Sequence, residues 1–443
     1  MRRRRGALLL GLVAGAATVL SGCASGPGAG AAPRAIAIDT APTSLPPASG
    51  GPAASPTTTG TPSSSAASPQ DDVTVTAAPP AGAAPKAGPA PVKVTVLVRA
   101  STGPKAAPAK ASPKPGPNPA PSSSGGVLGA AGNPDGRAGV PADGRAVDTS
   151  RPTRVIGTGT PASCTSAAVV AAVAAGGIVT FDCGPAPVTI VLTATAKVVN
   201  THPDLVLDGG GTVTLSGGGT RRILYQNACD AAQQFTTAHC DDQETPRLVV
   251  QNLRLVDGSS TADREGGGAI FVRGGRLRVV NSRFEQNRCA AAGSDLGGAA
   301  IRVFDQSRDR PVYVVGSTFT GGACANGGAL SSIGVSWVVL NSLFTGNAAT
   351  GTGASSGNGG NGGAIYLDGN AMTLTVRGTR IEGNTANAGG GAIFFVSNDR
   401  TGTMAVDAST LRRNPSRSFE TAGLPGIFFL GARAPTITAS TLS

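Results

Sequence analysis

Gly267-Gly268-Ala269-Ile270, Gly298-Ala299-Ala300-Ile301, Gly327-Gly328-Ala329-Leu330, Gly362-Gly363-Ala364-Ile365 and Gly390-Gly391-Ala392-Ile393 state one phrase five times. A second phrase alternates with it: Phe284-Glu285-Gln286-Asn287, Phe344-Thr345-Gly346-Asn347, Ile381-Glu382-Gly383-Asn384 and Leu411-Arg412-Arg413-Asn414. The apolar residues that mark each phrase recur every 25–37 residues or so. A period in this range is the signature of a solenoid. Between the phrases lie short alternating runs such as Leu277-Arg278-Val279 and Met372-Thr373-Leu374-Thr375-Val376. Alternation at period two marks a strand with one buried face. Several such strands per repeat, joined by Gly and Asn turns without intervening helices, describe a parallel β-helix. One coil cannot bury its apolar face alone; stacking buries a continuous core.

These residues resemble the right-handed parallel β-helix (pectin lyase-like) proteins. Within that group they look most like the polymorphic outer-membrane protein repeat, whose hallmarks are GGA-aliphatic and Phe-x-x-Asn. The resemblance covers about Arg247 to Ser443 and extends more loosely back to about Cys164. Phe319-Thr320-Gly321-Gly322 and Leu255-Val256-Asp257-Gly258 depart from the pattern by lacking the terminal asparagine, and Gly298-Ala299 by lacking the second glycine. The resemblance implies a fold rather than an activity, because unrelated functions share one architecture.

Met1–Arg5 places four arginines before the apolar run Gly6–Leu20, the layout of an export signal too short to span a membrane. It ends in Leu20-Ser21-Gly22-Cys23, which resembles the bacterial lipobox. That resemblance implies cleavage after residue 22 and a diacylglyceryl group on Cys23, so the protein is expected on the outer side of a bacterial membrane, anchored without spanning it. Residues 23–150 are mostly Ala, Pro, Ser, Thr and Gly, without aromatics. Such a composition cannot bury enough apolar surface to offset chain entropy, so a disordered, semi-extended tether is expected. Val73–Thr76 and Val92–Val98 are the islands of strand-like alternation within it.

The folded domain is assigned to 151–443. Ser163–Ala175, nearly all alanine and valine, reads as a capping helix with Ser163 or Thr165 as N-cap and Gly176-Gly177 as its stop. Apart from Cys23 there are six cysteines, an even number in an exported chain, which favours disulfides. Cys164 and Cys183 flank the helix and first strand. Cys229 and Cys240 bracket a polar insertion. Cys289 and Cys324 stand eight residues after Asn281 and Gly316, equivalent places in successive coils. Equivalent positions lie about 4.8 Å apart in a stacked solenoid, a span a disulfide can bridge. Fifteen pairings remain formally open. Asn252, Asn281 and Asn341 read as an internal amide stack, and Asn287, Asn347, Asn384 and Asn414 as turn residues tolerating left-handed backbone. The chain stops at Ser443 partway through a repeat, without a capping segment or a translocating barrel, which raises the expectation of self-association through an exposed coil.

Chemistry is sparse. Glycoside hydrolysis needs two opposed carboxylates, and uronate elimination needs a base with calcium-holding acids. Asn-Thr-Asp and Gly-His-Gly are absent, and Asp241-Asp242, the one paired aspartate of the folded part, lies at the end of the cysteine-bounded insertion. His202 and His239 lie outside the repeat strands, and Lys197 is the one lysine after the tether. Asp263 and Glu265, and Asp305 and Asp309, are acidic candidates read as solvated loop charges. No cofactor or metal is expected. If Ile270, Ile301, Leu330, Ile365 and Ile393 point inward, the next residues form an outward column: Phe271, Arg302, Ser331, Tyr366 and Phe394. Exposed rings on a flat ladder stack sugars, and arginine bonds acidic ones, so Phe271, Arg302, Tyr366 and Phe394 are the candidate ligand residues. From 151 onward there are 23 Arg plus Lys against 19 Asp plus Glu, a net of +4 within the chain's +11. That balance does not favour nucleic acid. The reading is a surface-displayed lipoprotein whose β-helix binds glycans or other surface polymers without catalysis. The alternatives are a polysaccharide lyase or glycoside hydrolase, and a purely structural envelope protein.

Overall fold

The computed structural model describes residues 129–263, 265–353 and 357–443. Cys23, the export signal and residues 24–128 of the tether lie outside the described residues. Among the described residues no helix is long and apolar enough to cross a membrane.

The domain is a parallel β-helix. Each coil contributes one strand to each of several sheets in turn, as in Arg276–Val280 (sheet I), Arg283–Glu285 (II), Arg288–Cys289 (III) and Ile301–Phe304 (IV), before Val312–Val315 returns to sheet I. The sheets hold ten, nine, five and eight strands, each paired with its equivalents in the coils before and after. The registers are parallel and in phase: Phe284 pairs Phe319, and Ile270 pairs Ile301. Inward residues from all coils merge into one core running from Ile156 to Ile427.

The corners explain the repeated phrases. Between sheets I and II one residue turns the chain with left-handed backbone: Asn252, Asn281, Gly316, Asn341, Gly378 and Ala408 have φ between 46° and 57°. Asn281 is exposed and Asn252 and Asn341 half-buried. Next comes a buried hydroxyl ladder, in which the Ser282 N–H donates to Ser317 Oγ (3.2 Å) and the Ser317 N–H to Ser342 Oγ (3.2 Å). Between sheets II and III, Asn287, Asn347, Asn384 and Asn414 are buried. Their amides form the internal stack: Asn347 Nδ2 donates to Asn384 Oδ1 (2.8 Å), and Asn384 Nδ2 to Asn414 Oδ1 (2.9 Å). The two asparagine series therefore exchange the roles read from the sequence. An asparagine suits both tasks, and period alone does not tell which side of the backbone a corner residue faces.

In the glycine phrase the two glycines have different duties. Gly362 has φ 70°, a conformation unfavourable to side chains, whereas a Cβ on Gly363 would sit 2.1 Å from the Gly391 carbonyl oxygen in the next coil. Gly298 keeps the first duty, and Ala299 replaces the second glycine. The Ala299 methyl lies 3.2 Å from where a Cβ on Gly322 would be, so two motif departures, a missing glycine and a missing asparagine, face each other across adjacent coils.

Ser166–Ala175 is the capping helix (α1). Thr165 is its N-cap, accepting from the Ala168 N–H at 3.2 Å, and Val169, Ala172 and Val173 close the core. All three expected disulfides are formed: Cys164–Cys183, Cys229–Cys240 and Cys289–Cys324, with Cα separations of 5.7, 5.0 and 4.7 Å. The last staples successive coils at neighbouring strands of sheet III.

The domain boundary at 151 needs correction. Residues 129–150, assigned to the tether, lie along the outer face of sheet I. Val280, Val315 and Leu340 there are covered with the help of Ala138 and Val140. Asn341 clasps Ala138 through both amide atoms (2.7 and 2.8 Å), and Gln251 does the same for Val147 (2.9 and 3.0 Å). This strap forms no strand of the sheets and has no hydrophobic period. Side-chain amides satisfy its backbone, a mode composition does not disclose.

Candidate functional site

The outward column exists in register on sheet IV: Tyr225, Phe271, Arg302, Ser331, Tyr366, Phe394 and Phe428. Its rings stack, with centroid separations of 5.4 Å for Tyr225–Phe271, 5.2 Å for Tyr366–Phe394 and 5.1 Å for Phe394–Phe428. They are not exposed. Phe271, Arg302, Tyr366 and Phe394 retain 2, 1, 3 and 7 % of their accessible surface. The expected open sugar-stacking ladder is thus corrected to a second, covered layer. Loops between sheets III and IV fold back over it, and Phe419 from one of them packs edge-on against Phe428 (4.8 Å). Alternation says which side of a sheet a residue faces and nothing of what lies above it. Tyr366 donates to Asp368 (3.0 Å), and burial pushes its hydroxyl far above its ordinary pKa.

Among the described residues two guanidinium groups lie in this covered layer, and they differ. Arg222 sits 5.7 and 5.1 Å from the Tyr225 and Phe271 ring centroids and forms ion pairs with Asp263 (2.9 Å) and Glu265 (3.3 Å). The acidic candidates Asp263 and Glu265 are therefore the counter-ions of Arg222. Arg302 has no such pair among the described residues. It donates to Ser331 Oγ and to the Asp295 carbonyl oxygen and lies over the Phe304 ring (4.4 Å), leaving Nε without a partner. Burial pulls its pKa down to about 10. Arg302 and Phe304 line a cleft of about 720 Å³, with Thr261, Asp263, Ser294 and Asp295 among its walls.

A second cleft, about 240 Å³, unites residues the sequence keeps apart. Asp241 and Asp242 reach it from beside the disulfide-closed insertion, and Asp305 and Asp309 from the loop after sheet IV, together with Arg308 and Arg310. Arg273 donates to Asp241 (2.8 Å) and holds its carboxyl below the ordinary range. Asp305 keeps an exposed edge, yet desolvation of its carboxyl, then the Asp241 and Asp309 charges, raise it to about 6 against the opposing pull of Arg273. The loop turns tightly here: Asp305, Arg308 and Asp309 all have φ near +53°. No spacing rule marks this pair, because an insertion and a loop of different coils supply its members. Cys229, Cys240 and Asp241 could group around an ion, but both thiols are consumed in the disulfide.

A carboxyl whose pKa is higher folded than unfolded binds the extra proton in the native state. Stability therefore falls as pH rises from about 4 to about 6, and the penalty is complete above that window. Asp305→Asn is expected to raise stability by about 1 kcal/mol at pH 7.5 and to change little at pH 4, the full shift being discounted for solvent screening. Urea midpoints at both pH values measure this; an equal change at both would remove Asp305 as the titrating group.

His202 is half-buried and His239 exposed, and neither lines either cleft. Comparison with protein-family models, with curated proteins and with solved structures finds no match to the chain.

Proposed function

We propose that this chain is an envelope protein, held on the outer side of a bacterial membrane by lipid on Cys23, whose β-helix binds a glycan or another surface polymer without transforming it. The supporting observation is the 720 Å³ cleft, where a buried cation, an aromatic face and hydroxyl-bearing walls converge beside sheet IV of the β-helix. Part of the polymer reading moves with the geometry, from a ladder of rings to a cleft at Arg302. The assignment to the pectin lyase-like group with polymorphic outer-membrane-type repeats belongs to the same proposal and is supported by the corner duties of its two phrases. A polysaccharide-array screen of the full chain, run beside reducing-end and unsaturated-uronate assays, tests the reading. Binding without product is expected. Silence against every polymer would overturn it in favour of a structural envelope role.

A second reading, a polysaccharide lyase or glycoside hydrolase, is favoured by one observation: neighbouring carboxyls with pKa values pushed apart, Asp241 downward and Asp305 upward, in an open cleft. Product released by the wild type and lost in Asp305→Asn would establish it in place of the first.

A further inference from the structure

We infer that the floor of the 720 Å³ cleft is a binding site for one oxyanion, a carboxylate or a sulfate, carried on a hydroxyl-rich ligand, with Arg302 supplying the positive charge. The inference rests on the polymer-binding reading and adds the chemistry of the group that enters the cleft.

Arg222 supplies the internal comparison. Both arginines lie on the outer side of sheet IV, Arg222 against the loop through Asp263 and Glu265 and Arg302 against the Asp295 carbonyl of the next coil's loop. Arg222, 7 % exposed, is paired directly with two carboxylates, whereas Arg302, 1 % exposed, has no carboxylate in ion-pair contact among the described residues and feels the Asp295 and Asp368 charges only from farther away. A guanidinium carries five N–H donors in a planar fork. Ser331 and the Asp295 carbonyl engage one terminal nitrogen each, both partners are uncharged, and Nε–H is unmatched. A charge removed from water without a counter-ion is among the costliest features a protein interior can hold. The cleft adjoins that charge and offers the volume from which a counter-ion could approach.

The walls narrow the ligand. Asp263 and Asp295 also line the cleft. Carboxylates accept hydrogen bonds from hydroxyls and repel further negative charge, so a ligand with one anionic group among hydroxyls fits better than a polyanion. Thr261 and Ser294 add neutral polar groups, and Phe304 closes the underside of the guanidinium.

Isothermal titration of the full chain with sodium glucuronate, glucose 6-sulfate and glucose, at matched ionic strength, tests the inference. Saturable binding of either anion is expected, with glucose at least about tenfold weaker, and Arg302→Met is expected to weaken the anion about 10- to 100-fold, the range for hydrogen bonds to charged groups. Preference for glucuronate assigns a carboxylate, and preference for glucose 6-sulfate assigns a sulfate. Ser294→Trp, which obstructs the cleft from its exposed rim, gives the same readout if Arg302→Met fails to fold. Equal affinity for glucose and both anions, no binding of either anion, or anion binding unchanged in both variants would overturn the inference. A neutral polymer bound by the wild type with no anion response would leave the polymer-binding reading intact and remove this one alone.

Discussion

Phe319→Ala is expected to lower the unfolding free energy by about 3–5 kcal/mol, the range for truncating a buried aromatic. Phe319 is fully buried between Phe284 and Phe344, its centroid 4.7 Å from each, with ring planes within 7° and 6° of parallel. Two stacked contacts vanish at once, at about 0.5–1.5 kcal/mol each beyond burial. The cavity cannot readily collapse, because parallel ladders on both sides of the coil fix its distance from its neighbours. Urea unfolding with the slope monitored measures the loss. Leu343→Ala, one residue from Phe344 and only half-buried, is the control and should cost much less. A loss for Phe319→Ala below about 1 kcal/mol would show that the ring column is not a principal support of the core. Since coils in a solenoid depend on their neighbours, the damage should spread to both flanking coils. Hydrogen exchange would therefore rise in 283–285 and 343–345 before the cap helix.

Asn384→Ala should be nearly as damaging, and Asn281→Ala far less so. The Asn384 amide donates to the Phe344 carbonyl (3.1 Å) and to Asn414 Oδ1 (2.9 Å), and its Oδ1 accepts from the Asn347 main chain (3.0 Å) and side chain (2.8 Å). Truncation strands several buried polar groups at about 1–3 kcal/mol each, with partial relief by an entering water, so about 3 kcal/mol is expected. Asn281 is exposed with φ 47°, so alanine there brings mainly the strain of a left-handed corner, about 1 kcal/mol. Ala408 already occupies the equivalent corner at φ 46°. Equal losses in the two variants, read from thermal or urea midpoints, would mean that the assignment of the two asparagine series is wrong.

Much of the architecture was legible because it is carried by repetition. Ile270, Ile301, Leu330, Ile365 and Ile393 recur in phase, and all are buried in the core. Cys289 and Cys324 occupy equivalent places, and equivalence in sequence becomes adjacency in space once coils stack. Thr165 caps the helix as its hydroxyl permits. The candidate ligand residues fared differently. Phe271, Arg302, Tyr366 and Phe394 do share one column, but loops without any common pattern decide that they are covered. Arg222 went unnoticed as the partner of Asp263 and Glu265, because more than forty residues of an intervening coil separate them. The same holds for Asp241 and Asp305.

Fold, coil register and the Cys289–Cys324 staple follow from short-range periodicity, since the same local preferences, applied coil after coil, leave one way to stack. Burial of the outer column, docking of 129–150, the exchange of the two asparagine roles and the convergence of charges on two clefts depend on contacts that occur once each. Such contacts have no period to read. They are settled by which loop lies over which strand, and by whether a charge there finds an ion-pair partner among the described residues, as Arg222 does and Arg302 does not.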